Sequence, residues 1–123
     1  MGFNESASEQ SQKEITMRNE YGEQLDSNGY APSIIQTDTS HCWFCGRNDQ
    51  KLDRHEPFNG AFRQKSKAYG MWVVLCHERC HMGKAHKDAG SERTMKRIVQ
   101  ARAMHYYDWN TEDFIARFGK NWL

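Results

Sequence analysis

The sequence predicts a small α+β domain stapled by zinc, with C-terminal helices and an irregular N-terminal arm. Three observations carry that expectation. Four cysteines fall into two close pairs, Cys42-Trp-Phe-Cys45 and Cys76-His-Glu-Arg-Cys80, and four thiolates satisfy tetrahedral zinc with no open position, with His77 inside the second pair as a competing fourth ligand. Met71-Trp-Val-Val-Leu75 is a β run leading straight into the second pair. Beyond it, apolar residues from Met95 to Tyr106 recur at spacings of three and four, the helical period.

A chain of 123 residues with a mean hydropathy of −0.96 has room for one domain and a modest core, which excludes a large multi-domain enzyme. No run approaches the roughly 18 consecutive apolar residues of a membrane span, and the opening MGFNESASEQ lacks the apolar stretch of a signal peptide. The expected location is therefore the cytoplasm, with no membrane partner. In a reducing compartment, paired cysteines bind metal more often than they form disulfides. A redox role for the CxxC is disfavoured by the second pair and by the lack of a thioredoxin-like βαβ pattern.

The formal net charge of +1 hides an asymmetry. Residues 1–40 carry two basic against seven acidic residues, a net of −5, whereas residues 41–97 carry twelve Lys or Arg against six acids, a net of +6. Residues 98–123 carry three of each. A basic module of this kind is the electrostatic footprint of a nucleic-acid binder.

Taken in order, residues 1–16 are rich in Ser, Glu and Gln with few apolar anchors, and are expected to form a disordered leader. Residues 17–40 hold Tyr21, Leu25, Tyr30, Ile34 and Ile35 around Asn28-Gly29 and Pro32, the composition of an irregular arm laid on the domain. Residues 41–90 form the zinc-bound core. Within it, the knuckle Cys42–Gly46 precedes a short strand over Lys51–His55, broken by Pro57 to Gly60. Phe62 to Tyr69 is a short helix or loop closed by Gly70, and the second strand runs through Met71–Leu75. The polar stretch after Cys76, with Gly83 and Gly90, predicts a short helix with an irregular end. Residues 91–123 are a C-terminal helical extension. Ser91 and Glu92 can cap a helix whose apolar positions are Met95, Ile98, Val99, Ala101, Met104 and Tyr106, ending near Asp108. Thr111 would cap a last helix over Glu112–Phe118, closed by Gly119.

A zinc ion joining the knuckle before the first strand to the segment after the second would also gather polar residues. Asp53, His55 and Glu56 leave the first strand, and His81 and His86 follow the second cysteine pair. Such a cluster can ligate a second divalent ion with open positions. Trp43, Phe44 and Trp72 suit core packing better than base stacking. Tyr106, Tyr107, Trp109, Phe114, Phe118 and Trp122 form an apolar seam that covers the zinc domain or a homodimer face.

These residues resemble a known family. CWFCG, LDRHEPFNGAFRQKSKAYG, WVVLCHERCH with His86 following, and the closing EDFIARFGKNWL are similar to the HNH, or ββα-metal, nucleases, in particular small phage-encoded HNH proteins. The likeness covers about residues 41–123. It implies a β-hairpin followed by a helix around one catalytic divalent ion (Mg2+, Mn2+ or Ni2+), beside a structural Zn2+ on Cys42, Cys45, Cys76 and Cys80. The family's first strand ends in a metal ligand followed by a base histidine; here the pair is His55-Glu56. By position His55 is then a ligand and Glu56 replaces the base, a weak one near neutrality at an unperturbed pKa of about 4.3. Alternatively His55 is the base, and Glu56, Asp53 or the downstream histidines hold the ion. The family's middle asparagine has no counterpart. His81 matches a metal-binding position, and His86 lies five residues on rather than four, so Gly83 must loosen the helix for both to reach one ion.

The activity implied is hydrolysis of DNA phosphodiester bonds, with His55, Glu56 and His81 as catalytic residues and His55, His81 and His86, with Asp53 as a further candidate, around the catalytic ion. Arg54, Arg63, Lys65, Lys67, Lys84 and Lys87 would neutralise the backbone without reading sequence. A phage origin would place the protein in the host cytoplasm, with DNA, a second copy or a phage protein as partner. The missing second histidine and asparagine motivate a rival reading, a catalytically inactive zinc module that binds DNA or protein.

Overall fold

The computed structural model of the protein describes residues 17–123, so the expected leader over residues 1–16 lies outside the described residues. The architecture is a small α+β fold around one two-stranded antiparallel sheet. Strand β1 (Leu52–His55) runs against β2 (Val73–Cys76), with Leu52 opposite Cys76 and His55 opposite Val73. Pro57 ends the first strand, since it has no N–H to continue a ladder. A single 3₁₀ turn (Gly60–Phe62) and helix α1 (Arg63–Ala68) then lead back to β2. After β2 come a π-helical segment (His77–Ala85), helix α2 (Ala89–Tyr107) and helix α3 (Thr111–Phe118).

Strand alternation sorts the hairpin into two faces. Val73 and Leu75 join the main core with Met71, Met95, Val99, Ala103, Phe114 and Phe118. Trp72 and Val74 point the other way, into a smaller cluster with Tyr30 of the arm. Asp53 and His55 therefore share the helix-covered face, and Arg54 shares the arm-covered face.

The arm (residues 17–40) contributes no strand longer than a bridge, yet it supplies hydrogen bonds that β2 and its flanks need. Ala31 N–H donates to Lys67 O (2.9 Å), Ile34 N–H to Gly70 O (2.9 Å), and Gln36 Oε1 accepts from Val74 N–H (2.8 Å). A β2 edge that would otherwise be open is thus satisfied from within the chain. Gly70 permits the approach: its φ is +69°, and a Cβ there would run into the Pro32 carbonyl.

Both long helices start one to three residues earlier than the expected caps. Asp88, not Ser91, caps α2 by accepting from Gly90 and Ser91 N–H at 3.1 and 3.3 Å. Asn110, not Thr111, caps α3 in a reciprocal box, Asp113 N–H to Asn110 Oδ1 (2.8 Å) and Asn110 N–H to Asp113 Oδ2 (3.0 Å). In both cases the expected cap lies inside the helix, and the residue just before the helix accepts from the free N–H groups of its first turn. The stripe that α2 buries is Met95, Val99 and Ala103 with Gln100. Ile98 and Tyr106, expected on that face, are exposed, because a stripe advancing by four leaves them outside its arc. Helix α2 ends at Asp108 in the left-handed region, and α3 at Gly119 with φ +79°. No helix among the described residues is long and apolar enough to cross a membrane.

Candidate metal centres

The knuckle is built by its backbone. Gly46 N–H donates to Cys42 O (2.8 Å), a turn that Gly46 completes at φ +79°, and Trp43 N–H donates to Val74 O (2.8 Å), docking the loop on β2. Cys76 ends β2 and Cys80 lies one turn into the π-helical segment. The hairpin register closes the arrangement by setting Leu52 opposite Cys76. As a result the four Sγ atoms lie within 4.8 Å of one another, and Cys45 Sγ is 3.8 Å from Cys76 Sγ.

That spacing fits zinc. With four Zn–S bonds of about 2.3 Å, the edge of a tetrahedron is about 3.8 Å. The electrostatics fit as well. Burial opposes ionisation of Cys42, but N–H groups of Cys45, Cys76 and Phe44 directed at its sulfur bring it down to about 7. Burial pushes the Cys76 and Cys80 thiols up. Three thiols crowded around one thiolate are a site in which a cation relieves the charge repulsion of full deprotonation. The cysteine cluster therefore suits a metal such as zinc.

A second group stands on the helix-covered face of β1. His55, His81 and His86 each place a ring nitrogen within 4.8 Å of the others. The π-helical turn makes this reachable: its i→i+5 repeat puts His81 and His86, five residues apart, on one side of the segment, where an α-helical turn would not. Gly83 sits between them in that turn. His81 Nε2 and His86 Nε2 are 3.1 Å apart.

Asp53 orients His81, together with His77. His81 Nδ1 lies 2.9 Å and His77 Nδ1 2.5 Å from Asp53 Oδ2. A carboxylate only accepts, so Nδ1 of His81 carries the proton and its Nε2 keeps a lone pair. Burial works against the charge on Asp53, but the two imidazole bonds hold its carboxyl below the ordinary range. The lone pair of His81 Nε2 can accept from His86 Nε2–H, and a divalent ion could take the place of that proton. Cis ligands at about 2.1 Å from one ion stand about 3.0 Å apart, so the His81–His86 separation fits a divalent ion. The carboxylate behind the histidine is the arrangement that fixes a ligand's tautomer. Asp53, His77 and His81 form a further cluster that overlaps the first through His81.

His55 is 3% exposed, and its Nε2 is buried with no hydrogen-bond partner among the described residues. Burial, then the neighbouring His81, His86 and Lys96, lowers its pKa to about 3. The ring is neutral at pH 7 and offers a lone pair.

Glu56 is not brought to this cluster. Its Oε1 accepts from Tyr30 Oη–H (2.8 Å) and from Arg63 Nε–H (2.9 Å) on the other side of the chain. The expected DNA contacts divide similarly. Arg54 is bonded to Asp26 (2.9 Å) and lies over the rings of Tyr30 and Trp72. Lys65 donates to Arg117 O (3.1 Å), and Lys67 is buried with Nζ over Tyr30. Lys84 and Lys87 are exposed beside His81 and His86. His77, a competing fourth zinc ligand by its sequence position, is instead bonded to Asp53. Two residues near the clusters have no local signal, Lys96 and Lys120. The two lysines depend on where the C-terminal tail returns, which no local pattern encodes. No family model, curated protein or solved structure matches the chain.

Proposed function

We propose that the protein is a metal-dependent DNA endonuclease of the HNH type, in which His81 and His86 hold the divalent ion and His55 accepts the proton from the attacking water. One observation carries this reading: three histidines from a strand end and a π-helical turn converge on one point beside a cysteine cluster that fits zinc. When bound, the ion would stabilise charge growing on the scissile phosphate and the leaving 3′ oxygen.

The roles of the chain's own residues follow from their chemistry. A base must hold an open lone pair at neutral pH, and His55 does so because burial refuses it a second proton. Asp53 keeps Nδ1 of His81 protonated and so aims Nε2 at the shared point. Glu56 is a positioning residue: it ties Arg63 and Tyr30 to the end of β1. Lys84 and Lys87, exposed next to the histidines, are the best-placed contacts for the phosphate backbone.

The test is nicking of supercoiled plasmid with Mg2+, Mn2+ or Ni2+. Wild type is expected to cut only with the ion, and His55→Ala and His81→Ala to lose about 10²- to 10⁴-fold in rate. Glu56→Gln, which keeps the bond to Tyr30, is expected to retain most activity. Background-level cutting by all four proteins would overturn the reading and leave a zinc module that binds without cutting.

A further inference from the structure

The C-terminal tail builds a second feature beside the histidine cluster. A groove of about 330 Å³ has Phe58, Phe62 and Phe118 in its apolar wall, Trp122 on one side, and the ammonium groups of Lys96 and Lys120 at its rim. Among the described residues, no acidic one lines it. Lys96 Nζ is 4.3 Å and Lys120 Nζ 4.2 Å from the Trp122 ring centroid. Lys96 also pairs with Glu92 at 2.8 Å, whereas Lys120 is exposed.

This is not a loose chain end. Gln100, fully buried on α2, accepts from Trp122 N–H (2.8 Å) and donates to Asn121 Oδ1 (2.8 Å). Both backbone and neighbour of Trp122 are therefore fixed before any ligand arrives. Across the groove, Asn59 starts the 3₁₀ turn; it is exposed and, among the described residues, its side chain makes no capping bond, so its amide can reach a ligand. Phe58 and Asn59 stand three and four residues beyond His55, and Lys96 is close enough for its charge to be felt at His55. The groove thus shares Lys96 with the surroundings of His55.

Half-buried aromatic rings, two cations and an exposed amide at one rim match the parts of a nucleotide: a flat apolar base with polar edges and a flanking phosphate. A duplex cannot offer the base face, because its bases are stacked on one another. We propose that the groove between Phe62 and Trp122 holds an unpaired nucleotide of the bound strand, with its phosphates on Lys96 and Lys120 and its base edge at Asn59. The proposal rests on the DNA reading above and narrows the substrate to DNA with a single-stranded or branched segment next to the cut.

The experiment measures binding rather than cleavage. Zinc-loaded full-length protein without a catalytic ion is titrated into a fluorescein-labelled 12-nucleotide oligothymidylate and into a blunt duplex of equal length, by anisotropy. Wild type is expected to prefer the single strand. Trp122→Leu is expected to weaken single-strand binding about tenfold, the scale of losing one base–aromatic stack, and to change duplex binding less than twofold. Lys120→Gln, at an exposed position that leaves folding intact, is expected to lower the slope of log affinity against log salt for the single strand by about 0.7, the value for one phosphate contact.

Equal losses on single strand and duplex, or no loss for either variant, would overturn the proposal. So would a concentration-dependent dimer abolished by Trp122→Leu, which would assign the groove to a second copy. Failure here leaves plasmid nicking by the histidines untouched, and a protein that discriminates strands through Trp122 yet never cuts would sink the nuclease reading alone.

Discussion

His55 shows how one side chain's surroundings decide its chemistry. An imidazole in water titrates near pH 6.5; here burial, with His81, His86 and Lys96 nearby, holds the folded value at about 3. Between those two values the unfolded chain binds a proton that the folded chain refuses. This contribution to stability is complete above about pH 6.5 and is lost as pH falls toward 3, by up to about 1.4 kcal/mol per pH unit. Urea unfolding of zinc-loaded protein at pH 7 and pH 5 should therefore show wild type losing more stability than His55→Asn, which has no such proton to refuse. Parallel losses in the two proteins would contradict a buried neutral His55. Glu56, one position on, is as buried but makes two hydrogen bonds, so it acts in packing rather than at the histidines.

Among the elements, the π-helical segment and the helix caps are the informative cases. The sequence reading anticipated that Gly83 would have to loosen the turn for His81 and His86 to meet, and the segment solves this by widening its whole repeat over His77–Ala85. The caps depend on a one-residue choice. Asn110→Ala should destabilise the protein by about 1 kcal/mol, since it removes a reciprocal box, while Thr111→Ala should stay within about 0.5 kcal/mol, as for surface positions without a special role. Chemical denaturation midpoints distinguish the two, and a larger loss at Thr111 would mean that the cap had been misplaced.

The whole molecule has a small core and a cysteine cluster that suits a metal such as zinc. The cluster links the knuckle ahead of β1 to the segment after β2, so it closes the hairpin and also aligns His55 with His81. Structural zinc in small domains is worth about 10–16 kcal/mol, as much as the entire stability of such a fold. Removing one zinc per chain with a chelator should therefore unfold the protein, seen as loss of helical circular dichroism. An unchanged melting curve after zinc loss would exclude a structural role. The charge asymmetry also acts at this scale: Asp26 of the acidic arm pairs with Arg54, and Glu20 with Arg117. Part of the basic surface is thereby neutralised by the chain's own arm.

Local spacing was enough to identify both strands, the two long helices, the helix end near Asp108, the left-handed end at Gly119, and the two cysteine pairs, because each depends on residues a few positions apart. It also singled out His55, His81 and His86, since a histidine near a cysteine pair or strand end is visible in one dimension. Tertiary structure decided the rest. Strand alternation separates Glu56 from His55, the arm claims Arg54, and the returning tail sets Lys96, Lys120 and Trp122 around one groove. Those outcomes depend on which distant segment arrives at each face, and hydrophobic burial and hydrogen-bond closure across the fold, rather than propensity along the chain, settle that.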